Sequence, residues 1–111
     1  MTRGTSRAPL QVRQQALSRL PFSFYTFLVD TIVEFNAAAF KHDIKKEDIL
    51  YALKNKVVDA AIEGLADKYG VIGFDRAGNP LEVMYNPIDD NSINVFHAMK
   101  LRKSFIQLLD I

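Results

Sequence analysis

The chain has no cysteine, so it carries no disulfide frame, no thiolate metal site and no cysteine nucleophile. That absence fits a reducing compartment, and a cytoplasmic location is expected. No run approaches the roughly 18 apolar residues of a membrane helix. The longest candidate, Phe22–Phe35, is broken by Ser23, Thr26, Asp30, Thr31 and Glu34, so no membrane partner is expected. A glycine-rich phosphate loop and a serine nucleophile elbow are also missing. So are internal repeats and low-complexity tracts. Asp89-Asp90-Asn91 is too short for a calcium loop and lacks its spacing. Two histidines with no ligand pattern around them do not make a metal site. Neither a metal nor a cofactor is expected.

What remains is 111 residues, 49% of them apolar, enough for one domain with its own core. The net charge of +1 hides an asymmetry. Residues 1–30 hold Arg3, Arg7, Arg13 and Arg19 against Asp30, a net of +3. The remainder holds ten Lys and Arg against twelve Asp and Glu, a net of −2. A slightly acidic domain is not the footprint of a non-specific nucleic-acid binder, so any such role needs a local basic patch.

Residues 1–30 are expected to form a basic and aromatic extension, partly disordered, ahead of a single domain at 31–111. Met1–Leu20 reads as a solvated terminus, as an acid-free targeting segment or as a phosphate-binding arm. No Met lies between Met1 and Met84, so a downstream start near Leu28 or Val29 would need another codon. The aromatics Phe22, Phe24, Tyr25, Phe27 and Phe35 either pack on the sheet or form a partner surface.

A short strand is expected at Thr31–Phe35, then Asn36 as the cap of a helix through Ala37–His42. After a break at Asp43-Ile44, a second helix covers Lys46–Asn55, with Ile49, Leu50 and Leu53 on one face. Val57–Ile62 starts the sheet. Tyr69–Phe74 and Leu81–Tyr85 form a hairpin around Asp75-Arg76-Ala77-Gly78-Asn79, where Gly78 and Asn79 tolerate positive φ. Ser92–His97 is the next strand, with Ile93, Val95 and His97 in phase. It runs into a basic helix at Ala98–Leu109, whose apolar stripe is Ala98, Leu101, Phe105, Leu108 and Leu109. The fold class expected is α+β: an antiparallel sheet of three to five strands, two short N-terminal helices and a C-terminal helix packed across it.

Phe35-Asn36, the helix ending in Lys41-His42, then Ile44 and Asp48-Ile49-Leu50-Tyr51-Ala52-Leu53 resemble the opening of BrnT-type toxins. Gly73–Val83 and Phe96-His97-Ala98-Met99-Lys100-Leu101-Arg102 resemble a related, largely uncharacterised bacterial group. That group carries His-Ala-Met-x-x-Arg at the corner where BrnT-like proteins carry Ile-Ser-Ala-Arg. The resemblance spans roughly Val33–Leu109. It implies a RelE-like fold, ribonuclease toxin activity and a cognate antitoxin as partner. It places Arg102 at the family's late arginine and Lys41-His42 at its Lys-His pair. Asp43 stands where the family has glycine, and His97 where the BrnT motif has no histidine.

RNA cleavage by 2′-hydroxyl attack needs a base, an acid and a cation at the phosphate. Histidine titrates near neutral pH and can be either acid or base. His97 and His42 are the candidate proton carriers, with Arg102 and Lys41 as phosphate clamps. Packing offers each an ordinary role as well. His97 would cap the helix, Arg102 would make a surface ion pair, and Lys41 and His42 would satisfy a helix C-terminus. Glu82 alternates outward from an apolar strand face and reads as a solvated residue. Three functions stay open: an endoribonuclease toxin with RNA and antitoxin partners, a non-catalytic protein-binding module, or a membrane- or nucleic-acid-tethered protein using the basic arm Met1–Leu20. Homo-oligomers are compatible with each.

Overall fold

Alternating apolar residues along five segments build one sheet in the computed structural model, which describes Thr31–Ile111. The strands are β1 (Ile32–Phe35), β2 (Lys56–Ala61), β3 (Tyr69–Phe74), β4 (Pro80–Asp89) and β5 (Ser92–Lys100). Their order across the sheet is β1-β5-β4-β3-β2. Strands β2 to β5 form an antiparallel meander. β1 instead pairs parallel with β5, Ile32 opposite Ser92 and Phe35 opposite Val95. The sheet is therefore mixed, where a purely antiparallel one was expected. The helices between β1 and β2 are what carry the chain back across the sheet and so fix the parallel direction.

Between β1 and β2, Asn36 Oδ1 accepts the Ala38 N–H at 2.9 Å and starts a 3-10 turn at Ala37–Phe40. Asp43, with φ of +62°, reverses the chain. Helix α1 (Lys46–Lys54) follows, with Ile49, Ala52 and Leu53 fully buried. It lies against β3 so closely that a Cβ on Gly73 would collide with the backbone carbonyl of Ala52. The same face of the sheet buries Val71, Leu81, Val83, Tyr85, Val95 and Ala98. The hairpin loop is closed by Asp75, whose Oδ1 accepts the N–H groups of Ala77 and Asn79. Gly78 there has φ of +86°, which suits a residue without Cβ.

The opposite face is covered over β2 and β3 by the end of the chain. Phe105 and Leu109 pack on Ile62 and Ile72, with Val58, Ala60, Met84 and Leu101 at the margin. Gly70 leaves the space those two side chains fill. Leu109 also bridges to Ile62 as an isolated antiparallel pair.

The expected helix at Ala98–Leu109 is not formed. β5 runs on to Lys100, with Ala98, Met99 and Lys100 opposite Val83, Glu82 and Leu81, and only Lys103–Ile106 is helical (α2). Ala, Met, Lys and Leu all favour helix, but that preference is a few tenths of a kcal/mol per residue. Three further rungs of sheet and the complete burial of Ala98 outweigh it. The readings made for residues 1–30 lie outside the described residues.

Candidate active site

A β-bulge aims His97. Met84 pairs with His97 and Tyr85 with Val95, so Phe96 has no partner across the ladder. Such an insertion switches the alternation of the strand that contains it. Val95 turns into the helix-covered core, whereas His97 shares the other face with Met84 and Glu82. The expected phase with Ile93 and Val95 is broken at that residue.

His97 Nε2 lies 2.8 Å from Glu82 Oε2. Arg102, just past the end of β5, reaches the same carboxylate. Its Nη2 donates to Oε2 at 2.6 Å, its Nε lies 3.2 Å from both oxygens, and its backbone N–H donates to Oε1 at 2.8 Å. Both side-chain nitrogens bond one oxygen, which places imidazole and guanidinium in the same few ångströms. The Glu82 side chain is 0% exposed, His97 18% and Arg102 47%. Burial alone would raise the Glu82 pKa, but hydrogen bonds from Arg102 and His97 outweigh it and hold the carboxyl below its usual value. The same pairing pushes the Arg102 pKa further up.

Glu82 is thus no solvated residue, contrary to the reading of its alternation. The alternation was right about its face, and the return of Arg102 over that face is what closes it off from water. Arg102 itself precedes α2 and is not in a helix. With no long helix starting at Ala98, this corner has no free helix-head N–H groups to offer an anion, and the Arg102 N–H is taken by Glu82.

The second histidine joins from the far side. The 3-10 turn lies along the edge of β5, and the chain leaving it sets the His42 ring edge-on to His97, with centroids 5.6 Å apart at 74°. Three of the four residues singled out from sequence thus converge: His42, His97 and Arg102. Lys41 is exposed beside His42 and has no hydrogen bond or ion pair to the group among the described residues.

Neither a family model, a curated protein nor a solved structure matches this chain. The chemistry of the site is therefore argued from its own groups. An ionised carboxylate only accepts hydrogen bonds. With Glu82 ionised, the His97 proton belongs on Nε2 and the Nδ1 lone pair is left to act as a base. Arg102 spends Nε and Nη2 on Glu82, which leaves Nη1 for an incoming anion. Glu82 is the residue that sequence reasoning missed. The usable signal was a single acid between Leu81 and Val83 in the middle of an apolar strand, where charge is disfavoured without a partner.

Among the described residues no helix is long and apolar enough to cross a membrane.

Proposed function

We propose that this chain is a metal-independent endoribonuclease of the BrnT-like kind, the toxin of a toxin–antitoxin pair. The carrying observation is the pair of imidazoles, 5.6 Å apart, beside a guanidinium fixed by a buried carboxylate. In the reaction the 2′-oxygen of a ribose attacks the adjacent phosphorus as the bond from phosphorus to the 5′-oxygen breaks. His97 Nδ1 takes the 2′ proton, and Glu82 behind Nε2 offsets the positive charge the ring acquires. His42, protonated, gives its proton to the leaving 5′-oxygen. Arg102 Nη1 and the Lys41 ammonium balance the charge on the phosphorane-like centre. The products are a 2′,3′-cyclic phosphate and a 5′-hydroxyl.

The left-handed backbone at Asp43 gives the resemblance physical support. The family has glycine after its Lys-His pair, and φ here is +62°, a conformation in which glycine is unstrained. A cognate antitoxin would be the protein partner.

The alternative is a non-catalytic protein-binding module, which the net charge of −2 on residues 31–111 favours. It predicts a histidine bonded to backbone and remote from Arg102. His97 is instead bonded to a carboxylate that Arg102 shares, which supports the first reading. The deciding experiment is RNA cleavage and growth arrest by His97→Ala and Arg102→Ala. Loss of about a hundredfold or more in either is expected for a proton carrier or phosphate clamp. Unchanged activity in both would leave the site without a role.

A further inference from the structure

The bulge has a second product. Alternation from Asn94 through Val95 puts Phe96 on the same face as His97, so two consecutive ring side chains project side by side from β5. Asn94 and Asn86 are paired across the ladder on that face, with Asn94 Nδ2 donating to Asn86 Oδ1 at 3.1 Å. Asn86, Asn94, Phe96 and His97 are all half-exposed, whereas Tyr85, Val95 and Ala98 between them are buried. The Lys68 ammonium stands 5.6 Å from the Phe96 ring centroid. This is the outer limit of a cation–π contact, and a flexible stem moves it aside cheaply.

We propose that this strip is a nucleobase subsite: one unpaired base of single-stranded RNA stacks on Phe96, its polar edge meets Asn86 and Asn94, and its phosphates lie between Lys68 and Arg102. The proposal rests on the ribonuclease reading and names its substrate class. An open sheet face bearing an aromatic ring is a known way to hold splayed bases, because every base has a π-face and needs no fixed sequence. Charge complementarity argues for this occupant. Glu82 is buried under His97 and Arg102, so among the described residues the one exposed carboxylate at the strip is Glu34 of β1, beside Asn94 at its edge. The Lys68 and Arg102 cations that flank the two rings match a phosphodiester backbone. Asn94 Oδ1 remains as an acceptor, and the Asn86 amide, which gives one N–H to the Pro87 carbonyl at 3.4 Å, keeps its second as a donor, the two groups a base edge requires. A duplex hides those edges and cannot stack on the ring.

The test is titration of the full-length protein with a single-stranded oligodeoxynucleotide, which has no 2′-hydroxyl and is not cut by the proposed route. Chemical-shift changes are expected at the Phe96 ring and the Asn86 and Asn94 side-chain amides. Phe96→Leu should weaken binding by about tenfold, Phe96→Tyr by less than about twofold because the π-face is kept, and the blunt duplex should bind more weakly than the strand. Equal binding of duplex and strand, or wild-type affinity in a folded Phe96→Leu protein, would overturn the subsite. So would the absence of strand binding. If Phe96→Leu does not fold, the amide shifts and Asn94→Ala decide in its place. Strand binding without RNA cleavage by the wild type sinks the nuclease and leaves the subsite. Cleavage with unchanged KM in Phe96→Leu does the reverse.

Discussion

Arg102 holds Glu82 twice over, once through its guanidinium at 2.6 Å and once through its own backbone N–H at 2.8 Å. The carboxylate is fully buried while the guanidinium is half in water. The two ends of the ion pair are therefore not equivalent.

Glu82→Met removes the buried charge and lets Arg102 turn to solvent, so stability should stay within about 1 kcal/mol of wild type. Arg102→Met strands an ionised carboxylate with fewer donors and should be the less stable of the two. Urea denaturation of both variants gives the order. A more stable Arg102→Met protein would contradict the account.

The pH dependence has a definite sign. Glu82 has a folded pKa below its ordinary value of 4.5, so its contribution is present above about pH 4.5 and is lost as pH falls through the folded value. Asp48, Asp75 and Asp89 are also held low, by Arg76, by the N–H groups of Asn79 and Ala77, and by Asn91 and Ser92. All four therefore weaken the fold in acid. Wild type should lose stability as pH falls below about 4.5 more steeply than Glu82→Met, which lacks one of the four. Parallel acid-unfolding curves would remove Glu82 from the list.

Two glycines should respond differently to alanine. At Gly73 the added methyl meets the Ala52 backbone carbonyl, which cannot move without shifting α1, and a cost of about 3 kcal/mol is expected. At Gly70 it meets the ends of the Leu109 and Phe105 side chains, which can repack, so the loss should be smaller. Thermal unfolding of Gly73→Ala and Gly70→Ala would show the difference.

Asp43→Gly should stabilise the protein by roughly 0.5–1 kcal/mol, because φ of +62° costs an L-residue energy that glycine does not pay. Asp43→Val should destabilise it, since β-branching makes that conformation worse. Denaturant midpoints for both substitutions test the sign.

The local signals were readable where one residue type had one meaning. Asn36 as a cap, Gly78 in the hairpin loop and the apolar face of α1 follow from short-range chemistry. His42, His97 and Arg102 could be nominated because imidazole and guanidinium have few uses. What the sequence could not carry was long-range. The parallel docking of β1, the continuation of β5 through residues that favour helix and the burial of Glu82 all depend on partners far along the chain. The bulge is a clear case: nothing in Asn94–Ala98 marks Phe96 as the residue without a partner, and only the register with Met84 and Tyr85 does so.

The parallel seam has a consequence for biosynthesis. Among the described residues β1 is the first strand to leave a ribosome, yet its one hydrogen-bonding neighbour there is the last. Closing so long a loop is the slow kind of folding step. His97 and Arg102 also arrive with that final stretch, so a nascent chain stalled before Ser92 would carry four strands and no assembled site.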